Sequence, residues 1–298
     1  MLDPQRAPRL YICPQERHNR EKNVSMIEYV TAMGTALTAW KGTDLLKEIY
    51  GDALKPGVEQ MGKALGGVLG LGNTALFPVH LLNERAKLRL EANLERYRGK
   101  LANVSPGNIV EVAPEIGVPL AEKLAYVQDS TLAELYAQLL ARASTVDGAE
   151  AVHPSFVNII NNLAPDEARI LNSLRSRAEP VLPYIRVHLL STDGSFRSCR
   201  EVELEPALLQ SLDLPQYATA YVENLSGLRL LVMEETYQIP GEATYERIKG
   251  ALGDKYSSSP RQDETIDMRQ CLARTTLYGV QFLSATSSES VQNGAKNV

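Results

Sequence analysis

From Tyr184 to Leu204 the chain reads YIRVHLLSTDGSFRSCREVEL, and here its period changes. Upstream, apolar residues recur every three or four positions, the spacing of a helix face. From Tyr184 they alternate: Tyr184, Arg186 and His188 fall on one side, and Ile185, Val187 and Leu189 on the other. Alternation of this kind marks a strand. Asp193–Gly194 supplies a turn signal, and FRSCREVEL returns as a second strand, so the stretch reads as a β-hairpin. This hairpin makes the fold class α+β and mainly helical: a helical N-terminal half followed by an α+β domain. His188 is expected to be exposed, on a strand face with Arg186.

Downstream, PALLQSL and PQYATAYVENLSGL read as helices, the second with Tyr217, Tyr221, Leu225 and Leu228 on one face. RLLVMEETYQI reads as a strand, GEATYERIKGAL as a helix and DKYSSSPRQDE as a loop. TIDMRQCLA is then a strand and TTLYGVQFLSA a closing helix. This order resembles a winged helix, a fold that often reads DNA with one helix. The helix in that place has no Lys or Arg and carries Glu223. Duplex binding needs clustered cations to displace counterions. Protein contact or a scaffold role is therefore favoured over nucleic acid.

Upstream of the hairpin, TLAELYAQLLARAS carries the clearest helical spacing, with Leu132, Leu135, Tyr136, Leu139, Leu140 and Ala143 on one stripe. Thr131 and Glu134 have the spacing of a capping box. PSFVNIINNLAPDEARILNSLRS holds two short helices, with Pro154 and Pro165 at first helical positions, where a missing N–H does no harm. Asp166 and Glu167 sit in the first turn of the second, favourable to its dipole. His153 is pushed towards extended backbone by Pro154, and a structural hydrogen bond at the helix start is favoured over catalysis. ANVSPGNIVEVAPEIGVP, rich in Pro and Gly, reads as a linker.

NERAKLRLEANLERYRGKL is an amphipathic helix with Ala86, Leu90, Leu94, Tyr97 and Leu101 on its apolar stripe. Its other faces carry the basic residues Arg85, Lys87, Arg89, Arg96 and Arg98. Before it lies GKALGGVLGLGNTALFPVHLL, residues 62–82, free of charge after Lys63. As a helix, the charge-free part would span about 28 Å, just enough for a bilayer core. Gly62, Gly66, Gly70 and Thr74 form a small-residue face that permits close helix contact. Asn73, Pro78, His80 and the glycines oppose insertion. A buried or partner-facing helical hairpin is the favoured reading, ahead of interfacial membrane contact and of a permanent span. Residues 25–50 form a further helical stretch.

The chain is divided accordingly. Residues 1–24 are a flexible lead-in and 25–102 a helical segment; 103–178 form a helical core, 179–286 the winged-helix-like α+β domain, and 287–298 a disordered tail. Net charge is −5, but residues 1–102 carry +4 and the remainder −9, so the two parts suit different environments. The start shows no secretory signal. The three cysteines, Cys13, Cys199 and Cys271, are no disulfide framework and suit a reducing compartment. The four histidines, His18, His80, His153 and His188, show no ligand spacing. Phosphate-loop, dinucleotide, metalloprotease and serine-elbow motifs are absent. No catalytic residue, metal ligand or cofactor is expected.

Two stretches carry a family resemblance: VSPGNIVEVAPEIGVPLAEKLAYVQDSTLAELYAQLLARAS, residues 104–144, and HPSFVNIINNLAPDEARIL, residues 153–171. Both resemble the abortive-infection alpha family of bacterial phage-defence proteins. Its motif residues here are His153, Pro154, Ser155 and Phe156, then Pro165, Asp166 and Glu167. Residues 58–82 are similar to the family's upstream segment, and VENLSGLRLL and TTLYGVQF to its closing elements. Thr275–Thr276 stands where the family usually has Leu-Thr. The resemblance implies defence against bacteriophage by arrest or killing of the infected cell, and brings no catalytic residues. The expectation is a non-enzymatic bacterial protein of the cytoplasm, peripheral to the inner membrane if it contacts lipid. Self-association or another defence-system protein would be its partner. The alternative is a winged-helix nucleic-acid-binding regulator.

Overall fold

The computed structural model describes residues 58–72, 84–175, 177, 179–191, 196–235, 243–253, 255–256 and 264–287. The readings on residues 1–50, Thr74, His80, the Asp193–Gly194 turn and the tail after 287 lie outside the described residues.

The helical layer begins with α1 (Val58–Gly72) and α2 (Glu84–Leu101), continues through α3 (Pro114–Leu124) and α4 (Ser130–Ala143), and ends with α5 (Val146–Ala149), α6 (Ser155–Asn161) and α7 (Pro165–Arg175). α4 is its centre. Its sequence stripe predicts one buried face, yet Ala133, Ala137, Gln138 and Ala141 are buried as well as Leu135, Tyr136, Leu139 and Leu140. Small alanines on the remaining sides let α2, α3, α6, α7 and α11 (below) pack around it.

The start of α4 differs from the expected capping box. Asp129 is the N-cap, and its Oδ1 accepts the Thr131 and Leu132 N–H groups, each at 2.9 Å. Because the helix starts two residues earlier than that box requires, the Glu134 N–H that Thr131 would have capped lies inside it, and Asp129 satisfies the free donors of the first turn. Glu134 pairs with Lys100 and Arg96 of α2 instead. On α2 the predicted stripe is buried at Leu90, Leu94, Tyr97 and Leu101. The Tyr97 hydroxyl lies 2.6 Å from Ser144 Oγ, and Asn93 donates to the Leu124 carbonyl at 2.8 Å.

The stretch read as a linker is pinned instead. Ile109 forms a β-bridge with Thr145, the Val110 N–H donates to Ser144 O and the Val112 N–H to Ala64 O, both at 2.9 Å. Val104, Ile109 and Val112 are buried, and α3 starts at Pro114. Prolines read as breakers because they cannot continue an element, but Pro114 starts one, where its missing N–H has no intrahelical partner anyway.

The second layer is an antiparallel sheet in the order β2-β1-β4-β3. Its strands are β1 (Val181–Ser191), β2 (Phe196–Glu203), β3 (Leu231–Glu234) and β4 (Glu264–Thr275). The helices between and after them are α8 (Pro206–Leu209), α9 (Ala218–Gly227), α10 (Ala243–Leu252) and α11 (Leu277–Ala285). The protein is thus α+β and mainly helical. β1 runs alongside β4 from Val181↔Arg274 to Ser191↔Glu264 and forms the expected hairpin with β2. α10 covers one face, packing Tyr245, Ile248 and Leu252 on Ile185 and Val187. α9 packs against β2 and β3, and Tyr184, Val202, Cys271 and Ala273 join its buried residues in the main core. With helices on both faces of four strands, the region is more simply an α+β layer than a winged helix.

Burial corrects the reading of β1. His188 and Arg186 are each only 4% exposed. The alternation gave the right sides, but a central strand has no solvent face once both sides are covered. α9 ends in a left-handed residue at Arg229 (φ 60°), with the Leu230 N–H reaching Leu225 O at 3.0 Å and the Arg229 N–H reaching Ser226 O at 2.9 Å. That is a Schellman ending, two residues beyond the glycine at 227. One apolar core runs from Met61 to Ala285, so the helical and sheet layers share it.

Candidate functional site

The motif residues lie at two seams between the layers. At the first, His153 precedes α6 and its Nδ1 accepts the Ser155 N–H at 3.1 Å. That bond makes Nδ1 the acceptor. Ser155 Oγ lies 2.6 Å from the same nitrogen and also meets the Tyr278 hydroxyl of α11. The Phe156 ring packs 5.4 Å from Tyr278 and 5.5 Å from Phe282, centre to centre. Pro154 is exposed and opens the helix as its cap. The histidine makes the structural bond expected for it, on an exposed ring.

At the second seam Asp166 and Glu167 are both buried. Asp166 accepts the Asp213 and Leu214 N–H groups at 2.9 Å each, the Tyr221 hydroxyl at 3.1 Å, and Arg169 of its own helix. Burial works to raise its pKa, but these donors outweigh it and hold the carboxyl below its ordinary value. Glu167 accepts the Ala164 N–H at 2.7 Å and the Asn224 amide at 2.8 Å. The first bond is the acidic half of a capping box, with Ala164 before Pro165 at the helix start. Here burial wins, and the Glu167 carboxyl is raised. Arg169 also meets Asp213 at 2.9 Å and Asp129 at 3.7 Å, so α4, α7 and the approach to α9 meet at one guanidinium.

Sequence reasoning found the α6 and α7 side of both seams and missed Tyr278, Arg169, Asp213, Tyr221 and Asn224. Tyr221 and Asn224 are three residues apart on α9 and so share a face, which was legible. That this face meets Asp166 and Glu167 was not. The end of α11 is tied in as well: Arg175 donates to the Thr286 hydroxyl and Gln138 to the Ser287 carbonyl. Burial brings the Arg175 pKa down to about 10.

The small-residue face sits elsewhere. α1 buries Met61, Ala64, Leu65 and Val68, and leaves Gly62 half-buried and Gly66 exposed. A Cβ added at Gly62 or Gly66 would meet none of the described residues within 4 Å. The surroundings of Gly70 lie outside the described residues. A close approach to α1 is made by a glycine that no stripe marked: a Cβ on Gly117 of α3 would come 2.3 Å from Val68 Cγ2. No helix among the described residues is long and apolar enough to cross a membrane.

The basic face of α2 is partly answered by acids. Arg96 and Lys100 reach Glu134, and Arg98 pairs with Glu95. Arg85 is exposed and Arg89 half-buried, beside Leu88, which is 63% exposed; the Lys87 side chain lies outside the described residues. Among the described residues no group of three His, Cys, Asp or Glu side chains could hold a metal ion.

Both seams fall within one match: the model of the family named abortive infection alpha covers residues 88–286. The chain belongs to the abortive infection alpha family. The matched region takes in nearly all of α2 and everything from there to α11, so both layers and both seams are parts of one abortive infection alpha unit, and α1 precedes it. No curated protein and no solved structure matches the chain.

Proposed function

We propose that the protein is a non-enzymatic effector of abortive infection in the bacterial cytoplasm, limiting phage spread at the expense of the infected cell. The family match across both layers is the observation that carries this reading. The α+β layer is the regulatory part, held to the helical layer by the Asp166–Glu167 and Ser155–Tyr278 seams. The helical part acts by self-association, by contact with another defence protein, or by triggered contact with the inner membrane. Its contact face is the open side of α1 at Gly62 and Gly66, with the basic helix α2 following.

Replacing both glycines by leucine tests the mechanism, because neither added side chain meets a described residue at its Cβ. Bacteria carrying the wild-type chain should form fewer phage plaques than bacteria without it. The Gly62→Leu/Gly66→Leu variant should lose that protection and its self-association without any fall in its thermal unfolding temperature. Unchanged protection and association would rule the α1 face out. Absence of protection by the wild-type chain against every phage of a broad panel would rule out the defence role itself.

A further inference from the structure

The α9-covered face of the sheet holds charge in a place where charge is costly. Arg186 and His188 lie two residues apart on β1, the most enclosed strand, and both are buried. Across the β1–β4 ladder, Arg186 stands opposite Arg269 and His188 opposite Asp267. Arg186 Nε lies 3.0 Å from the carboxylate of Glu235, the residue that follows β3, and its Nη1 lies 3.9 Å from Glu223 of α9. The Arg186 guanidinium also sits 5.8 Å from the centre of the Tyr184 ring and 3.7 Å from Met233 Sδ. The Cys271 thiol lies 3.8 Å from the Glu235 carbonyl oxygen, so Glu235 is held at both its backbone and its side chain. Arg269 has its own partner in Asp267 at 2.7 Å.

We propose that Arg186 and His188 form a proton-sensitive clamp on this face. With His188 neutral, Arg186 holds Glu235 at the exit of β3 and faces Glu223 of α9; a proton on His188 loosens that hold.

Two opposing effects act on such a proton. Glu223, Glu235 and Asp267 would attract it, and Arg186 and Arg269 would repel it. The three carboxylates are 54%, 47% and 32% exposed, so water screens their pull. His188 is 4% exposed, and its own desolvation is not screened. Burial therefore decides the sign, with Arg269 and Arg186 adding to it, and the imidazole is held below the ordinary histidine value. A protonated His188 puts a second positive charge two residues from Arg186 on the same face, and the hold on Glu235 at the end of β3 is the one it weakens. The clamp spans β1, β4, β3 and α9, so its release loosens the sheet at the edge farthest from the β1–β2 hairpin.

The linkage has a definite sign. A histidine whose folded pKa is depressed leaves the unfolded chain binding more protons below about pH 6.5. Stability is then full above that pH and declines as pH falls towards the folded pKa, by at most roughly tenfold in the folding constant per pH unit. Urea unfolding of the full chain from pH 8 to pH 5 should show this decline, and His188→Gln should remove that part of it. Every other titrating group is common to both proteins and cancels in the difference. Parallel pH profiles would overturn the proposal. Hydrogen exchange gives a second readout that does not need the His188 variant. After correction for the intrinsic rate, the Leu231–Glu234 amides of the wild type should lose protection on acidification before those in the middle of β4 do. Arg186→Met should expose the same four residues already at pH 8. If β3 stays as protected as β4 in both experiments, the clamp does not exist.

Discussion

The two seams join the same layers by opposite means. At the first, exposed His153 and half-buried Ser155 and Tyr278 form a short polar chain laid over the Phe156–Phe282 contact. At the second, two buried carboxylates accept six bonds from the helix start, the loop before α9 and α9 itself. Water can replace a lost partner at the first seam and not at the second. A removed acceptor there leaves buried donors without partners, and that asymmetry outweighs the worth of any single bond. The motif that looks more like chemistry, a histidine beside a serine, is thus the weaker structural element. The motif that looks like ordinary helix-start acid is the stronger one.

The largest test of this contrast is Asp166→Ala. It strands two backbone N–H groups and the Tyr221 hydroxyl and takes from Arg169 one of its three carboxylates, and should cost about 3–5 kcal/mol in urea unfolding. Gly117→Val should follow. Its Cβ would meet Val68 at 2.3 Å, and overpacking of this kind costs roughly 1–3 kcal/mol. Gly66→Ala on the facing helix should do the reverse and stabilise by up to about 1 kcal/mol, since alanine favours helix and its Cβ meets none of the described residues. Tyr278→Phe removes one half-buried hydroxyl and keeps the ring contacts; the expected loss is about 1 kcal/mol. A Tyr278→Phe loss equal to that of Asp166→Ala would reverse the ranking of the seams.

The acid limb of stability separates the carboxylates of the second seam from each other. Asp166 has a depressed folded pKa, so its contribution is present above the ordinary aspartate value and is lost as pH falls through the folded one. Glu167 has a raised folded pKa, so its contribution is present below the ordinary glutamate value and is lost as pH rises through the folded one. Asp166→Asn should therefore flatten the loss of stability in acid, and Glu167→Gln should steepen it. Urea midpoints between pH 6 and pH 3 measure both. Matching slopes in the two variants would show that the carboxylates act as one unit.

Much of this molecule was legible before any coordinate. The change of period at Tyr184 separates helices from strands, and Pro165 with Asp166 and Glu167 marks a helix start that the structure contains. Leu90, Leu94, Tyr97 and Leu101 are buried together, as their spacing requires. These features are encoded within one or two turns of chain, where a side chain meets only its own backbone and its nearest helical neighbours. What the sequence could not show depends on distant partners. Arg186 and His188 are buried because β4, more than seventy residues later, closes one side of β1 while helices cover both faces. The Pro- and Gly-rich stretch before α3 is structure because Ala64 and Ser144 offer it carbonyls. Gly117, and not Gly62 or Gly66, makes a close contact between helices at α1, because packing depends on which faces meet and not on how regularly small residues recur. Periodicity fixes which side of an element seeks burial; only the tertiary fold decides what buries it, and whether the other side is buried too.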